Sequence, residues 1–420
     1  MSKYTKTLIS AVATAALIAP AALAQSSQPS DADVEFINQV QLGNVWSNVD
    51  VYVENSDTDV ITNSLAIANA STAINERGDL TVSTNQLQRG AVEANTNISA
   101  GFVGRDVVGT TNATGNSAYA GNWYGDSYVD ITQASRENVT ATSRVDANNV
   151  LAASVQTNAV ANTAEIEVDF AESVEGSINQ RVHGSVFAGS DVNVRFAEEF
   201  VQNTAIAAGN SGQAHVGDTA GAFIGVNQTT ARDETIVASA QTTVGDVIDV
   251  ANTSAAVGNQ FTGSNFNSFV EFGVPSEVAR QNNGSEVFAS SDVSAGTFFG
   301  SASSTASGVG NSFSASSVFG GTNTDVAQNN IGNVGSDATL YTGDFSGGTG
   351  FVTATSIGNS FSNVGQETNL TGSVSQFNRG NVSATTSFRT AGSVGGVVAS
   401  STAIGNSATF ETRSNGRGSR

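Results

Sequence analysis

Glutamine and asparagine return through this chain at a long, nearly fixed interval. A period of that size restricts the fold to an array of like units, each packed mainly on its neighbours. The glutamines are Gln39, Gln86, Gln133, Gln180, Gln228, Gln281, Gln328 and Gln376, separated by 47, 47, 47, 48, 53, 47 and 48 residues. The asparagines are Asn69, Asn116, Asn162, Asn210, Asn259, Asn311, Asn359 and Asn406, separated by 47, 46, 48, 49, 52, 48 and 47. Each glutamine precedes its asparagine by 29 to 31 residues, so the two series run in parallel. The one slip, between Gln228 and Gln281, includes Pro275 and reads as a loop insertion between intact units.

Ahead of the array stand Lys3 and Lys6, a largely apolar run from Leu8 to Ile18, and Ala22-Leu23-Ala24 followed by Gln25. This is the three-part pattern of a secretory signal peptide, too short for a membrane anchor. The chain therefore divides into a signal peptide (1–24), a polar leader (25–33), a repeat domain (34–410) and a basic, flexible tail (411–420). No later apolar run is long enough to span a bilayer, so the mature chain leaves the cytoplasm without a transmembrane segment.

Removing Lys3 and Lys6 leaves 14 arginines against 37 acidic residues, a net charge of −23. Such a surface repels nucleic acid and anionic lipid. Cysteine is absent, which excludes a disulfide framework and thiol chemistry. Beyond the signal peptide the only prolines are Pro29 and Pro275, so the repeat body is nearly free of the residue that interrupts strand ladders. Leu, Lys and Glu are sparse, which argues against long helices.

Alternation marks strands at Val49–Val53, Ala164–Phe170 and Val192–Phe196. The two motif series split each repeat into segments of 25 or 26 and 22 residues, as in Asn44 to Asn69 to Ala91 and Asn333 to Asn359 to Asn381. A segment of that size suits one two-strand coil of a β-solenoid, which predicts an all-β rod of about sixteen coils, on the order of 75 Å long. In the asparagine series, positions five, three and one before the asparagine are always small, as in Ala205, Ala207 and Gly209. They share one strand face, so opposing backbones should approach closely there. The Gly-Asn pair that follows reads as a turn. In the glutamine series, Val326, Gln328 and Asn330 share parity, as do Ile37, Gln39 and Gln41, and stacked amides can form hydrogen-bonded ladders. The open ends of such a rod permit self-association.

Chemistry-bearing clusters are scarce. His183 and His215 do not recur with the repeat, and no Ser/His/Asp arrangement surrounds them. Polysaccharide-degrading β-helices need clustered carboxylates, whereas Asp57/Asp59 and Asp246/Asp249 form only sparse acidic turns. Arg77-Gly78-Asp79 matches an integrin-binding tripeptide, and Trp46 and Trp123 could stack on sugar or simply pack. No Thr-x-Thr motif recurs in phase. No catalytic, cofactor-binding or metal residues are expected.

Thr402-Ala-Ile-Gly-Asn-Ser407, Thr355-Ser-Ile-Gly-Asn-Ser360 and Thr305 to Ser312 together resemble the repeats of holdfast anchor proteins of stalked alphaproteobacteria, in particular their large D component. Gln376 to Asn381, Gln-x-Asn-x-Gly-Asn, also resembles the curlin repeat of amyloid adhesive fibres, although the second internal glutamine of curlin is missing. The resemblance spans residues 34 to 411. It implies a secreted, outer-membrane-associated, non-enzymatic surface protein that acts with companion anchor proteins to attach an adhesive polysaccharide. A curlin-like self-assembling fibre subunit is the alternative, and a β-helical polysaccharide-degrading enzyme the third reading.

Overall fold

The computed structural model describes residues 32–219, 221–273, 278–343 and 348–413. The segment read as a signal peptide and most of the segment read as a leader lie outside these residues, as does the tail beyond Arg413. Every regular element among them is a strand, and every strand pairing is parallel. The strands form three sheets, each running the length of the molecule, with the chain visiting the three in turn.

The first turn of the chain sets the pattern: Ala32–Gln41 on a first face, Val45–Ser56 on a second, and Val60–Asn75 on a third, longer face. Asp79–Gln88 then lies directly on Ala32–Gln41, with Gln39 opposite Gln86, and the cycle repeats through to Asn369–Asn378, Val382–Thr390 and Gly396–Arg413. The whole 47-residue repeat is thus one coil of three strands. The architecture is a β-solenoid, as expected, but it has eight coils and not sixteen. At the strand spacing of ~4.8 Å its length is on the order of 38 Å, half the expected value.

The miscount has a local cause. The Gly-Asn pair of the asparagine series does not turn the chain; it lies inside the long strand, which runs on through it for 17 residues in Phe200–Val216. In each coil the ladder register skips the residue before the asparagine: Ala208 pairs with Val257 and Asn210 with Asn259, leaving Gly209 and Gly258 unpaired. Two consecutive residues therefore face inward, the bulge device that bends a strand and shifts its alternation by one. Val201, Asn203, Ala205 and Ala207 are buried before the shift, and Asn210, Gly212, Ala214 and Val216 after it. By contrast, the Gly-Asn pairs of the glutamine series, Gly43-Asn44, Gly332-Asn333 and Gly380-Asn381, do sit in turns between the first and second faces.

The bend creates two cores. The half of the long strand before the shift packs on the second face around Val107, Val155, Val192, Ile236 and Val250. The half after it packs on the first face around Ile131, Ile166, Ile178, Phe261 and Phe313. At the waist between them the layers nearly touch. Ser64 Oγ lies 3.1 Å from the Ser47 carbonyl oxygen, and a Cβ placed on Gly308 would fall 2.6 Å from the Gly335 carbonyl oxygen. This close approach is what the small-residue positions provide. The Pro275 insertion also falls differently from expectation: it lies within a unit and splits the first strand of the sixth coil into Phe269–Phe272 and Ala279–Asn283.

Enlarging a waist residue should be costly in mid-rod and nearly free at the end. Ala256 is fully buried, whereas its counterpart Ala403 in the last coil is exposed. Ala256→Leu should lose about 1–3 kcal/mol by overpacking, read as a lower denaturation midpoint, and Ala403→Leu should change little.

Candidate functional site

Both amide series turn inward and meet in the waist. Each glutamine donates its Nε2–H to the Oε1 of the glutamine one coil nearer the N-terminus, from Gln86 to Gln39 through to Gln376 to Gln328, at 2.7–2.9 Å. Each asparagine donates its Nδ2–H the opposite way, from Asn69 to Asn116 through to Asn359 to Asn406, at 2.7–2.8 Å. The two ladders therefore carry opposed polarity along the rod.

Each ladder also ties the layers together. Gln228 donates to the Gln260 carbonyl oxygen at 2.7 Å, on the residue after Asn259 of the long strand. Asn210 donates to the Thr229 carbonyl oxygen at 3.1 Å, on the residue after Gln228 of the first face. The same exchange recurs from coil to coil, as in Gln133 with Thr163 and Asn162 with Arg181. A shorter third ladder runs from Asn283 through Asn330 to Asn378. All sixteen amides singled out in the sequence are thus brought into one internal seam, hydrogen-bonded and withdrawn from solvent except toward the end coils. They are parts of the scaffold and not a surface for ligands.

What remains for contact is the outer surface of the coils, where register turns repeated residues into straight columns. On the long face Thr204, Thr253, Thr305, Thr353 and Ser400 stand directly in line. Across the bend a second hydroxyl column runs through Ser312, Ser360 and Ser407. Between them lie the residues two before each asparagine, β-branched in every coil except at Ala208. They have outward parity, yet Thr114 and Val160 are buried, which places them at the bottom of a lengthwise crease. The single threonine column escaped a search for Thr-x-Thr because its partners are coils apart, not two residues apart.

The second face carries a shallow polar depression around Asn95, Thr142, Arg144 and Asp146, with Thr142 Oγ1 2.5 Å from Asn95 Oδ1 and Arg144 Nε 2.8 Å from Asp146. Trp46 lies exposed on this face in the first coil, while Trp123 lies half-buried at a corner. Arg77-Gly78-Asp79 occupies another corner, with Gly78 at φ +102°, a conformation that favours glycine. There the Asp79 carboxylate accepts the Asp126 N–H at 3.0 Å, and Asp126 in turn accepts that of Ser173 at 2.8 Å. Asp249 acts likewise on Ser301 at 2.6 Å and Asp59 on the Asp106 N–H at 3.3 Å, whereas Asp57 and Asp246 are exposed. These corner acids hold backbone of the next coil.

One acidic group is newly visible in the fold. Tyr119 donates to Glu167 at 2.6 Å on the long face, beside Glu165. Burial and neighbouring Glu167 raise the Glu165 pKa, and burial with Asp218 raises that of Asp169. Asp337 on the second face is raised by burial and Asp292. His215 Nδ1 lies 2.8 Å from Ser264 Oγ, and His183 is exposed in a turn. Among the described residues no group of three or more His, Asp or Glu could hold a metal ion. No helix among them is long and apolar enough to cross a membrane.

A parallel three-faced solenoid with a hydrogen-bonded amide seam and repetitive outer columns defines a structural repeat scaffold. The family model for holdfast attachment protein D matches residues 53–335 and 320–419. The chain belongs to this family, which gives it a role in holdfast attachment. Neither a curated protein nor a solved structure gives a match.

Two measurements probe the seam and the acidic group. Gln228→Leu strands three buried partners, Gln180 Oε1, the Gln260 carbonyl and Gln281 Nε2, at about 1–3 kcal/mol each. Its denaturation midpoint should fall far more than that of Gln376→Leu in the last coil. Glu165, Asp169 and Asp337 bind protons more tightly folded than unfolded, so stability should rise as pH falls from neutral into the carboxylate range. Glu165→Gln should raise the neutral-pH melting temperature and flatten this acid-side gain.

Proposed function

We propose that this protein is a non-enzymatic linker at the cell surface, secreted and associated with the outer membrane, that holds the adhesive polysaccharide of the holdfast to the envelope together with companion anchor proteins. Membership of the holdfast attachment protein D family supports the setting. The observation that carries the binding role is the register of the outer columns, in which Thr204, Thr253, Thr305 and Thr353 recur one strand spacing apart. A polymer of repeating sugars meets such a surface with many weak, equivalent contacts. Multivalency then gives retention without a deep pocket. The acidic surface supports solubility and keeps rods from adhering side by side.

Loss of the gene should leave adhesin synthesis intact while the adhesin appears in the medium, scored by lectin staining of cells and supernatant. Unchanged retention on cells would sink the idea. Sustained release of reducing ends from acidic polysaccharide by the purified chain would instead favour a degradative enzyme.

A further inference from the structure

The lengthwise crease of the long face carries no charge. Five outward columns run side by side across it, beginning at Ile61, Asn63, Leu65, Ile67 and Ala70 and ending at Val398, Ser400, Thr402, Ile404 and Ser407. In none of the eight coils does any of these positions hold Asp, Glu, Lys or Arg, in a chain with 37 acidic residues and 16 Lys and Arg. The other faces differ. One outward column of the second face contains Asp50, Arg144, Asp191 and Asp292, and one of the first face contains Glu175 and Glu271.

The crease is deepest in the second, third and fourth coils, where Thr114, Val160 and Ala208 on its floor are 0%, 5% and 7% exposed. Elsewhere the floor is aliphatic, with Ile67, Val257, Val309, Ile357 and Ile404 in the same column. In the second and third coils it holds two polar atoms that have no partner among the described residues. Thr114 Oγ1 is one. The other is Oδ1 of the buried Asn158, whose Nδ2 donates to Asn112 Oδ1 at 2.8 Å. The two lie diagonally on adjacent coils, since Asn158 pairs with Asn112, two residues before Thr114. A buried polar atom left unpaired carries a cost that an incoming partner removes. Above them the walls are lined by half-buried Thr110, Gln156, Ser117 and Thr163.

An aliphatic floor between uncharged hydroxyl and amide walls suits a polymer that is apolar on its ring faces and hydroxylated at its edges. A sugar hydroxyl donates and accepts through one atom, so it can serve both Thr114 Oγ1 and Asn158 Oδ1. Nucleic acid and anionic polysaccharide need cations, and the crease has none. A cationic polymer is drawn instead to the carboxylates of the other faces. An extended peptide adds to an open strand edge, whereas the long strands of the second to seventh coils are paired on both sides. We infer that the crease binds one strand of a neutral polysaccharide laid along the rod, its ring faces on Val160 and the neighbouring floor residues and its hydroxyls on Thr114 and Asn158. This rests on the reading of the chain as a holder of polysaccharide, and adds the place and the charge class of the sugar.

The test runs the full chain through native gels cast with dextran, galactomannan or hydroxyethyl cellulose, all neutral, or with anionic alginate. At least one neutral polymer should retard the chain, and high salt should leave that retardation unchanged. Alginate should not retard it. Thr114→Val removes the hydroxyl with little change of shape, so it should keep or raise the melting temperature while raising the dissociation constant roughly fivefold. A hydroxyl that served packing alone would leave binding unmoved. Gln156→Trp/Thr163→Trp fills the crease from its walls and should abolish retardation, whereas Asn97→Trp/Gln241→Trp on the second face should not. No retardation by any neutral polymer, retardation lost in salt, or a wall-filled form retarded like the parent would overturn the proposal. In cells the two readings separate. Gene loss that sheds the adhesin, while the wall-filled form still retains it, overturns the crease alone. Adhesin retained without the gene overturns the linking function, and the crease stands on the gel results.

Discussion

The structure depends on the hydrogen bond between an amide side chain and its equivalent one coil away. A solenoid cross-section must be closed by layers that come close together at the waist, where there is no room for large apolar side chains. A buried polar group is tolerable there only if every donor and acceptor is met. Primary amides satisfy this condition repeatedly along an axis, because each one donates and accepts in line with the strand spacing. Glutamine on the first face and asparagine on the long face each have a remaining N–H, and each directs it to the other layer's backbone. The seam thus sets coil-to-coil register and layer-to-layer distance together. A one-residue slip would remove every amide from its partner, which is why the strands hold one register from end to end.

The opposed polarity of the two long ladders has an electrostatic benefit. A single column of aligned amide dipoles would accumulate partial charge at its ends, as a helix does. Two antiparallel columns cancel most of that field inside the rod. They leave a pattern at each end, a donor beside an acceptor, that distinguishes one end from the other. Direction is therefore written into the interior and not only into the sequence of the surface.

Much of this was legible in the sequence. The period was visible because every ladder demands the same residue at each return, and the parity of Ile37, Gln39 and Gln41 correctly placed the amides on one strand face. The small positions around Ala205 and Ala207 correctly announced a close approach of backbones. The coil count was not legible, because Gly209-Asn210 has the composition of a turn while acting as a bulge. Positive φ and a double inward residue both favour glycine and asparagine, so composition alone cannot separate them. The outer columns were hidden for a different reason: Thr253 and Thr305 become neighbours only through pairing. The residues that keep the repeat periodic are buried, and those that contact anything are scattered across it.

A holdfast attachment scaffold must resist pulling, and this fold places its hydrogen bonds well for load along the rod. Strands lie across the axis, so axial tension acts on the inter-strand backbone bonds of three sheets and on the amide ladders at the same time. No single coil can separate without breaking all of them together. Tension across the axis is met differently, by covalent backbone running around each coil. The weakest places are then those where a ladder is interrupted, such as the sixth coil, whose first strand is split between Phe272 and Ala279. There the glutamine ladder still passes unbroken from Gln228 through Gln281 to Gln328 at 2.8 Å. The insertion is tolerated because the seam, and not the continuity of any one strand, carries the register across it.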